Sequence, residues 1–467
     1  MADQPRVVVV GAGISGLSCA YRLHRLKIPC VVLEASDRPG GLAGTVERDG
    51  FLFETGPQSF QGTDSLLGLI QELDIEGELL RADPRAPRYI LQNHRLKQIP
   101  MSPQSLLLSS LLSPGSRWKV ASEPFRRTRP PGHDESVADF VRRKFGHEIL
   151  EYLVSPFVSG VYAGDPEQLS LKAAFPSLEE WEREYGSVLR GAMKSRGPKT
   201  ERKGPPPLCS FRHGVATLSR ALAKSLGESA KMGAPVRSLR RTSEPGHGAY
   251  EIGTETLGRT ETLRAPAVVL GTPAYISSQL LGSVSSRMGI TLSGIAYAPV
   301  AVVAAAYSRA QISNALDGFG FLVPRKEKVR ILGTIWNSSL FPGRAPQDKV
   351  VMTTFLGGAT DRDIAGKARD EIAAAAHEEN SKILGIQGSA ISSEVFAYPK
   401  ALPQYNLGHG HIIENLRAGQ QETPGIFFAG NYLEGPSMGK CVEQGFATAE
   451  AVRAFLSPAG AAPISSL

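Results

Sequence analysis

The 467-residue sequence predicts an α/β fold with α+β elements: a discontinuous doubly wound unit, a second unit around a mixed sheet, and a helical insertion. Three observations predict it. A fully apolar strand, Val7–Val10, runs straight into a glycine-rich turn and a helix-period stripe. Short strand patterns return far downstream, at 234–241 and in the segments up to Gly271. Between them, the stretch 100–205 carries a helix pattern and clustered basic charge. The length calls for two or three domains. With 42% apolar and 21% charged residues, wholesale disorder is excluded. The 49 Gly and 33 Pro show no G-X-Y period, so the chain reads as loop-rich rather than collagenous.

In chain order, Val7–Val10 reads as a strand buried on both faces. Ile14, Leu17, Tyr21 and Leu23 form a helical stripe reaching Leu26, and Cys30–Leu33 is a second strand. Residues 136–153 read as one helix, with Ser136 and Asp139 as a capping box. Residues 126–133 and 196–207 are irregular, the latter a Gly/Pro/Lys linker. Tyr250–Glu255 and Thr260–Arg264 alternate after a turn at Glu244–Gly248, and Val268–Gly271 is a short buried strand. The tail after Ser457 reads as loose. Cys19, Cys30, Cys209 and Cys441 form no CxxC pair, so four reduced thiols in an intracellular protein are expected. No secretory signal is visible, and no run of about 18 apolar residues exists to span a membrane.

Charge is uneven. From Arg81 to His133 there are ten Lys/Arg against two acids, and from Arg190 to Lys203 six against one. Ser105–Ser113 is leucine-rich and is preceded by Ile99 and Met101. Apolar side chains beside cations suit an anionic membrane surface, so peripheral, monotopic attachment at the cytoplasmic face is expected. Nucleic acid is not expected, because no aromatic signature accompanies the charge.

The turn after the first strand is Gly11-Ala12-Gly13-Ile14-Ser15-Gly16, followed by Leu17. Gly11 permits the tight turn, Gly13 lets backbone approach a pyrophosphate, and Gly16 lets helix pack on strand. The helix N-terminus then offers free N–H groups to phosphate. Glu34 ends the second strand 18 residues after Gly16, where a carboxylate meets ribose hydroxyls, and Ala35 follows it. This is a Rossmann-like dinucleotide site, and no second strand–GxGxxG–helix unit exists for a nicotinamide reductant.

Arg38-Pro-Gly40-Gly41-Leu42-Ala-Gly44 resembles the R-x-G-G element of the flavin amine oxidase superfamily. Phe53-Glu54-Thr55-Gly56-Pro57-Gln58 resembles its segment passing the flavin ring, and Gly233–Arg237, with Val236, its adenine-side strand. Ile426–Asn431, then Ser437, Met438 and Gly445, resembles its closing element through Gly430 and Asn431, where many members carry Asp instead of Asn. The resemblance implies noncovalent FAD and a flavin reduced by the substrate itself. It implies a FAD-binding domain in three parts (1–87, 206–272, 409–467), a mixed-sheet substrate domain (88–99, 273–408) and a helical membrane-associated insertion (100–205).

Four further segments resemble the oxygen-dependent protoporphyrinogen oxidases: Pro156–Pro166 (PFVSGVYAGDP), Leu169–Pro176, Asp317–Pro324 (DGFGFLVP) and Ala401–Tyr405 with Gly408-His409. That likeness implies a tetrapyrrole substrate, molecular oxygen as acceptor, and a heme-pathway ferrochelatase or a second copy of the chain as partners. It implies Arg95 as the cation for a propionate. Gln58 would lie beside the flavin ring, and Gly164, Phe319, Gly320, Leu322 and Phe355 would form the apolar wall. A side chain at Gly320 would intrude on the macrocycle. No strong protein base is required, and no catalytic residue is assigned. His409 and His411 form an HxH pair with no further ligand in view, so no metal is expected. Coproporphyrinogen III as substrate, an amine oxidase or carotenoid desaturase, and a non-catalytic carrier on the same scaffold stand as alternatives.

Overall fold

A computed structural model describes residues 6–100, 102–195, 206–242, 249–256 and 258–457. Val7–Val10 pairs in parallel with Cys30–Leu33 on one side and Ala267–Leu270 on the other. Ala230–Lys231 and Ile426–Phe428 complete a five-stranded parallel sheet. Its strands come from four separate parts of the chain. The side chains alternate as a pleat requires. Val7 and Val9 enter one apolar cluster with Leu17 and Val442, while Val8 and Val10 enter another with Leu239 and Tyr250. The first helix, Ile14–Arg25, buries Ile14, Leu17, Tyr21 and Leu23, and Arg22, His24 and Arg25 fall in its last turn, where the dipole favours cations. Val236–Arg241, Tyr250–Thr256 and Arg259–Ala265 form a three-stranded antiparallel sheet over the second face.

A seven-stranded mixed sheet follows the order Ser392–Pro403, Tyr297–Ser308, Lys349–Gly357, Ile331–Ile335, Gly320–Leu322, Arg88–Gln92, Arg95–Gln98. Its sole parallel pairing sets Gly320 opposite Arg88. On the long strand Tyr297–Ser308, Ala301, Val303 and Ala305 pack toward the helix Arg369–Leu384. Ala304 and Ala306 on the other face meet Phe51 and Phe53 of the strand Phe51–Glu54. Phe53 is fully buried there, and its truncation to Ala would cost about 3–5 kcal/mol.

The helices between 103 and 194 form the third layer. The helix expected over 136–153 ends at Lys144. Gly146 takes φ +94, a left-handed conformation that breaks the rod. The chain resumes as His147–Ile149, a π turn over Leu150–Val154 and the helix Ser155–Tyr162. Ser136 caps by accepting the Asp139 N–H, but Asp139 takes the Ser136 hydroxyl rather than returning to backbone, so half of the box forms. The leucine run is divided rather than forming one face: Leu111 and Leu112 are buried and Leu108 is exposed. Met101, the turn at Glu244–Gly248, most of the 196–207 linker and the tail after Ser457 lie outside the described residues. No described helix is long and apolar enough to cross a membrane.

Candidate active site

The first helix opens at Gly13 with no side-chain cap and no acid in its first turn, leaving N–H groups around Ile14 and Ser15 for an anion. A Cβ on Gly16 would stand 2.1 Å from the Gly11 carbonyl oxygen, so only glycine lets turn and helix meet. The Ala12 N–H donates to Glu34 Oε2 at 2.7 Å, and the Ser36 N–H and hydroxyl donate to Oε1 at 2.9 and 2.8 Å. The carboxylate is thereby fixed beside the glycine turn, with Ala35 exposed after it. The Gly233 and Ala234 N–H groups donate to the carbonyls of Ser36 and Glu34, which brings Val236 close by.

The second glycine turn lies against the first. Gly40 N–H donates to the Ala12 carbonyl at 2.8 Å, and a Cβ on Gly41 would lie 3.6 Å from Gly13 Cα. The Arg38 guanidinium covers Gly44 next to Thr55. Thr55 donates to the Leu42 carbonyl at 3.2 Å, and the same carbonyl packs against Gly56, ahead of Pro57. At the closing element the Tyr405 hydroxyl donates to the Asn431 carbonyl beside Gly430. Ser437 caps the helix Met438–Leu456, whose first turn holds no acid; Met438 enters the core, and Gly445 abuts the Ser15 carbonyl. Two helix N-termini free of acids, a fixed carboxylate and two apposed glycine turns fit the diphosphate and ribose of a dinucleotide.

Gln58 is buried and its amide is engaged. Its Nε2 donates to the Gly56 carbonyl at 2.8 Å, while Oε1 accepts from Asn337 Nδ2 at 2.6 Å and Thr353 Oγ1 at 2.8 Å. These bonds hold the bend at Gly56–Pro57 and direct the amide inward.

At the end of the strand Phe51–Glu54 lies a buried pair absent from the sequence reading. Glu54 accepts from Thr45 Oγ1 at 2.6 Å and the Val215 N–H at 3.0 Å, with Arg344 Nη2 3.8 Å away. Burial pushes Glu54 up to about 7 against the pull of Thr45 and Arg344, and burial also lowers Arg344. Arg344 donates to the Phe211 carbonyl and Ser210 hydroxyl, so the pair joins three distant segments.

One face of the mixed sheet presents Val302, Phe355 and Phe396 as cross-strand neighbours, with Leu332 and Tyr398 in the same cluster. The Tyr398 hydroxyl donates to the Thr55 carbonyl at 3.0 Å, so this apolar wall adjoins the Gly56–Pro57 segment. Helix Ser155–Tyr162 closes one side. A Cβ on its Gly160 would lie 2.7 Å from Leu322 Cδ2, and one on Gly164 would lie 2.9 Å from Gln404 Oε1. Gly320 serves a different purpose from the one expected: φ is +131 and a Cβ would lie 2.1 Å from the Thr334 carbonyl oxygen. It is glycine because two strands close on it. Phe319 belongs to a separate cluster with Leu340 and Phe341.

Arg95 is exposed at the start of the outer strand, past a turn whose Asn93 and His94 N–H groups donate to Glu327. Arg88 was missed in sequence. It lies opposite Gly320, its guanidinium 5.2 Å from the Phe319 ring centre, and no described carboxylate pairs with it. Four residues of strand, about 13 Å, separate it from the end that carries Arg95. The HxH pair diverges: His409 is buried with its ring centre 4.8 Å from that of Tyr405, and burial lowers its pKa, while His411 is exposed beside Glu414. Cys441 is half-buried, and burial raises its thiol pKa.

Residues 14–453 match the family of flavin containing amine oxidoreductases. The chain is 36% identical over 477 aligned residues to protoporphyrinogen oxidase 1 of Spinacia oleracea chloroplasts, covering 96% of this chain and 84% of that one. It is 27% identical to the coproporphyrinogen III oxidase of Bacillus subtilis, covering 98% of this chain and all of that one. It superposes on the crystal structure of a candidate protoporphyrinogen oxidase from Exiguobacterium sp. 255-15 with a TM-score of 0.81 at 25% identity, over 97% and 99% of the two chains. The cofactor is therefore FAD, the enzyme is an oxidoreductase, and the chain belongs to the flavin containing amine oxidoreductase family.

Proposed function

We propose that this enzyme oxidises protoporphyrinogen IX to protoporphyrin IX in heme biosynthesis, with oxygen as terminal acceptor and three hydrogen peroxide formed from three oxygen. The observation that carries this reading is the apolar wall of Leu332, Phe355, Phe396 and Tyr398, adjoining the Gly56–Pro57 segment through the Tyr398–Thr55 bond. A bulky apolar macrocycle needs such a surface and few polar anchors. FAD, when bound, supplies the two-electron acceptor for each of three oxidation rounds. The chain's own residues orient and exclude water. The wall, Leu322 and Gly164 hold the ring, and placement against the cofactor rather than a strong base lowers the barrier.

Arg88 is the cation we assign to a substrate propionate, in preference to Arg95, because no described carboxylate pairs with it and it lies across from Gly320, two residues before Leu322 on the same strand. The enzyme would work attached peripherally to an anionic membrane, from which a poorly soluble substrate arrives. Coproporphyrinogen III remains the second reading, favoured by the full-length likeness to the Bacillus subtilis enzyme.

The test is porphyrin fluorescence in air, with each porphyrinogen offered separately against an enzyme-free control. Fast emission from protoporphyrinogen IX, with about three peroxide per porphyrin as a six-electron oxidation requires, is the expected result. A strong preference for coproporphyrinogen III would move the enzyme to the second reading. A yellow protein giving no emission above control with either would overturn both.

A further inference from the structure

The helical layer contains a pocket of about 850 Å³, remote from the glycine turns. Arg127, Arg129, Arg183, Arg190 and Lys194 line it, together with a single acid, Glu184. The Glu184 carboxylate adjoins the Tyr185 hydroxyl and raises its pKa. None of the five cations is paired with a described carboxylate, and Lys194 lies over the Tyr185 ring at 4.9 Å.

The pocket floor is fixed. Thr128 N–H donates to the Gly186 carbonyl at 3.1 Å, which ties the 127–129 segment to the turn between two helices. Beneath them the buried Lys144 ammonium donates to Thr128 Oγ1 at 2.7 Å and to the Gly186 carbonyl at 3.3 Å, and pairs with Glu123 and Glu182. The nearby acids are thus turned inward to Lys144 and Arg143, while the rim keeps its cations. Five like charges around one pocket repel one another and gain stability from an anion with several acceptor oxygens.

The rim is also apolar where it meets solvent. Met193 lines the pocket and Phe125 precedes Arg127 by two residues, and both are well exposed. Six of the ten exposed large apolar side chains among the described residues fall between Leu108 and Met193. A free phosphate would have no use for that rim, whereas a lipid would lay acyl chains against it.

We propose that this pocket seats the phosphate of an anionic phospholipid headgroup and orients the enzyme on its membrane. The inference rests on the peripheral placement proposed above and names the residues that make the contact.

The test uses the FAD-loaded full chain in sedimentation with vesicles of phosphatidylglycerol and phosphatidylcholine, against phosphatidylcholine alone. Arg127→Gln and Arg190→Gln should each weaken binding to the anionic vesicles about fivefold, and together about 25-fold. Lys27→Gln with Lys224→Gln, an equal change of charge in the groove near the first helix, should weaken it less than twofold. Visible absorbance reports that each variant has folded around its flavin. Equal losses in the two double variants, with the wild type bound, would overturn the pocket while leaving peripheral attachment standing. Failure of the wild type to bind anionic vesicles would overturn both. Thermal stabilisation by inorganic phosphate without vesicle binding would overturn the lipid assignment and leave a site for a soluble phosphate.

Discussion

Substituting Gly160→Ala tests whether the wall described above is a substrate surface. The added methyl would lie 2.7 Å from Leu322 Cδ2, whereas carbon atoms rest at about 3.5–4.0 Å. The obstacle is the far end of a flexible side chain rather than backbone, so Leu322 yields by rotation and the helix stays in place. Overpacking of this kind costs about 1–3 kcal/mol, partly offset by about 0.5–1 kcal/mol from replacing a helical glycine. The fold should therefore survive with a loss of at most about 2.5 kcal/mol. The displaced Leu322 would narrow the space over Phe355, and kcat/KM for the porphyrinogen should fall about tenfold while FAD content stays at the wild-type level. Leu322→Ala removes the obstructing atoms at some loss of its own, since Leu322 helps to hold the ring, so on that background Gly160→Ala should cost little further. Steady-state kinetics on the four proteins of the cycle, with flavin absorbance as the loading control, read the coupling directly. A Gly160→Ala penalty of equal size with and without Leu322 would refute the reasoning, because the methyl would then act through something other than Leu322.

Other substitutions probe the rest of the site. Gly16→Ala places a carbon 2.1 Å from a backbone oxygen that cannot rotate away, so the purified protein should lose its yellow absorbance. Glu54 ionises at about 7 when folded against an ordinary 4.5, so the folded state holds the proton more tightly. Its contribution to stability is full below about 4.5 and declines, by about 3 kcal/mol, as pH rises through about 7. Glu54→Gln should therefore gain on the wild type in denaturant melts between pH 5 and pH 8, and a constant difference would contradict the assignment. Arg88→Gln should lower kcat/KM for the porphyrinogen about tenfold or more, as expected for loss of a charged anchor, with little change in FAD content. Arg95→Gln should change it less than twofold; the reverse order, measured in the same assay, would return the propionate to Arg95.

The dinucleotide half of the molecule was legible in sequence because its rules are local. Gly11 to Gly16, Glu34 and the strands beside them fall within 30 residues, and each needs only its neighbours to make its case. The helix drawn through 136–153 shows the limit of such reading. Apolar spacing continued past Phe145, but Gly146 takes a left-handed conformation that periodicity does not register. Gln58 shows a second limit. Its place near the ring-passing segment could be read, but its partners Asn337 and Thr353 lie 279 and 295 residues downstream, and no pattern around Gln58 announces them. The Glu54–Arg344 pair was hidden for the same reason, since the carboxylate resembles any other at a strand end until Arg344 is folded behind it.

The two arginines of the outer hairpin put this limit in its sharpest form. Arg88 and Arg95 belong to one basic stretch, and composition cannot separate them. Register separates them. Gly320 pairs with Arg88 because glycine alone lets its strand close on Thr334, and that closure forces the following residues, Phe321 and Leu322, opposite Tyr89 and Ile90. Phe319 is thereby carried under the Arg88 guanidinium, while Arg95 is left beyond the turn that Glu327 ties down. The glycine that seemed to clear space for a substrate instead sets which cation stands beside it. A substitution at Gly320 should accordingly disturb the position of Arg88 before it touches any ligand, so Gly320→Ala should lower affinity for porphyrinogens with propionates more than for analogues whose propionates are esterified. Equal losses for both would show that the strand pairing does not govern the anchor.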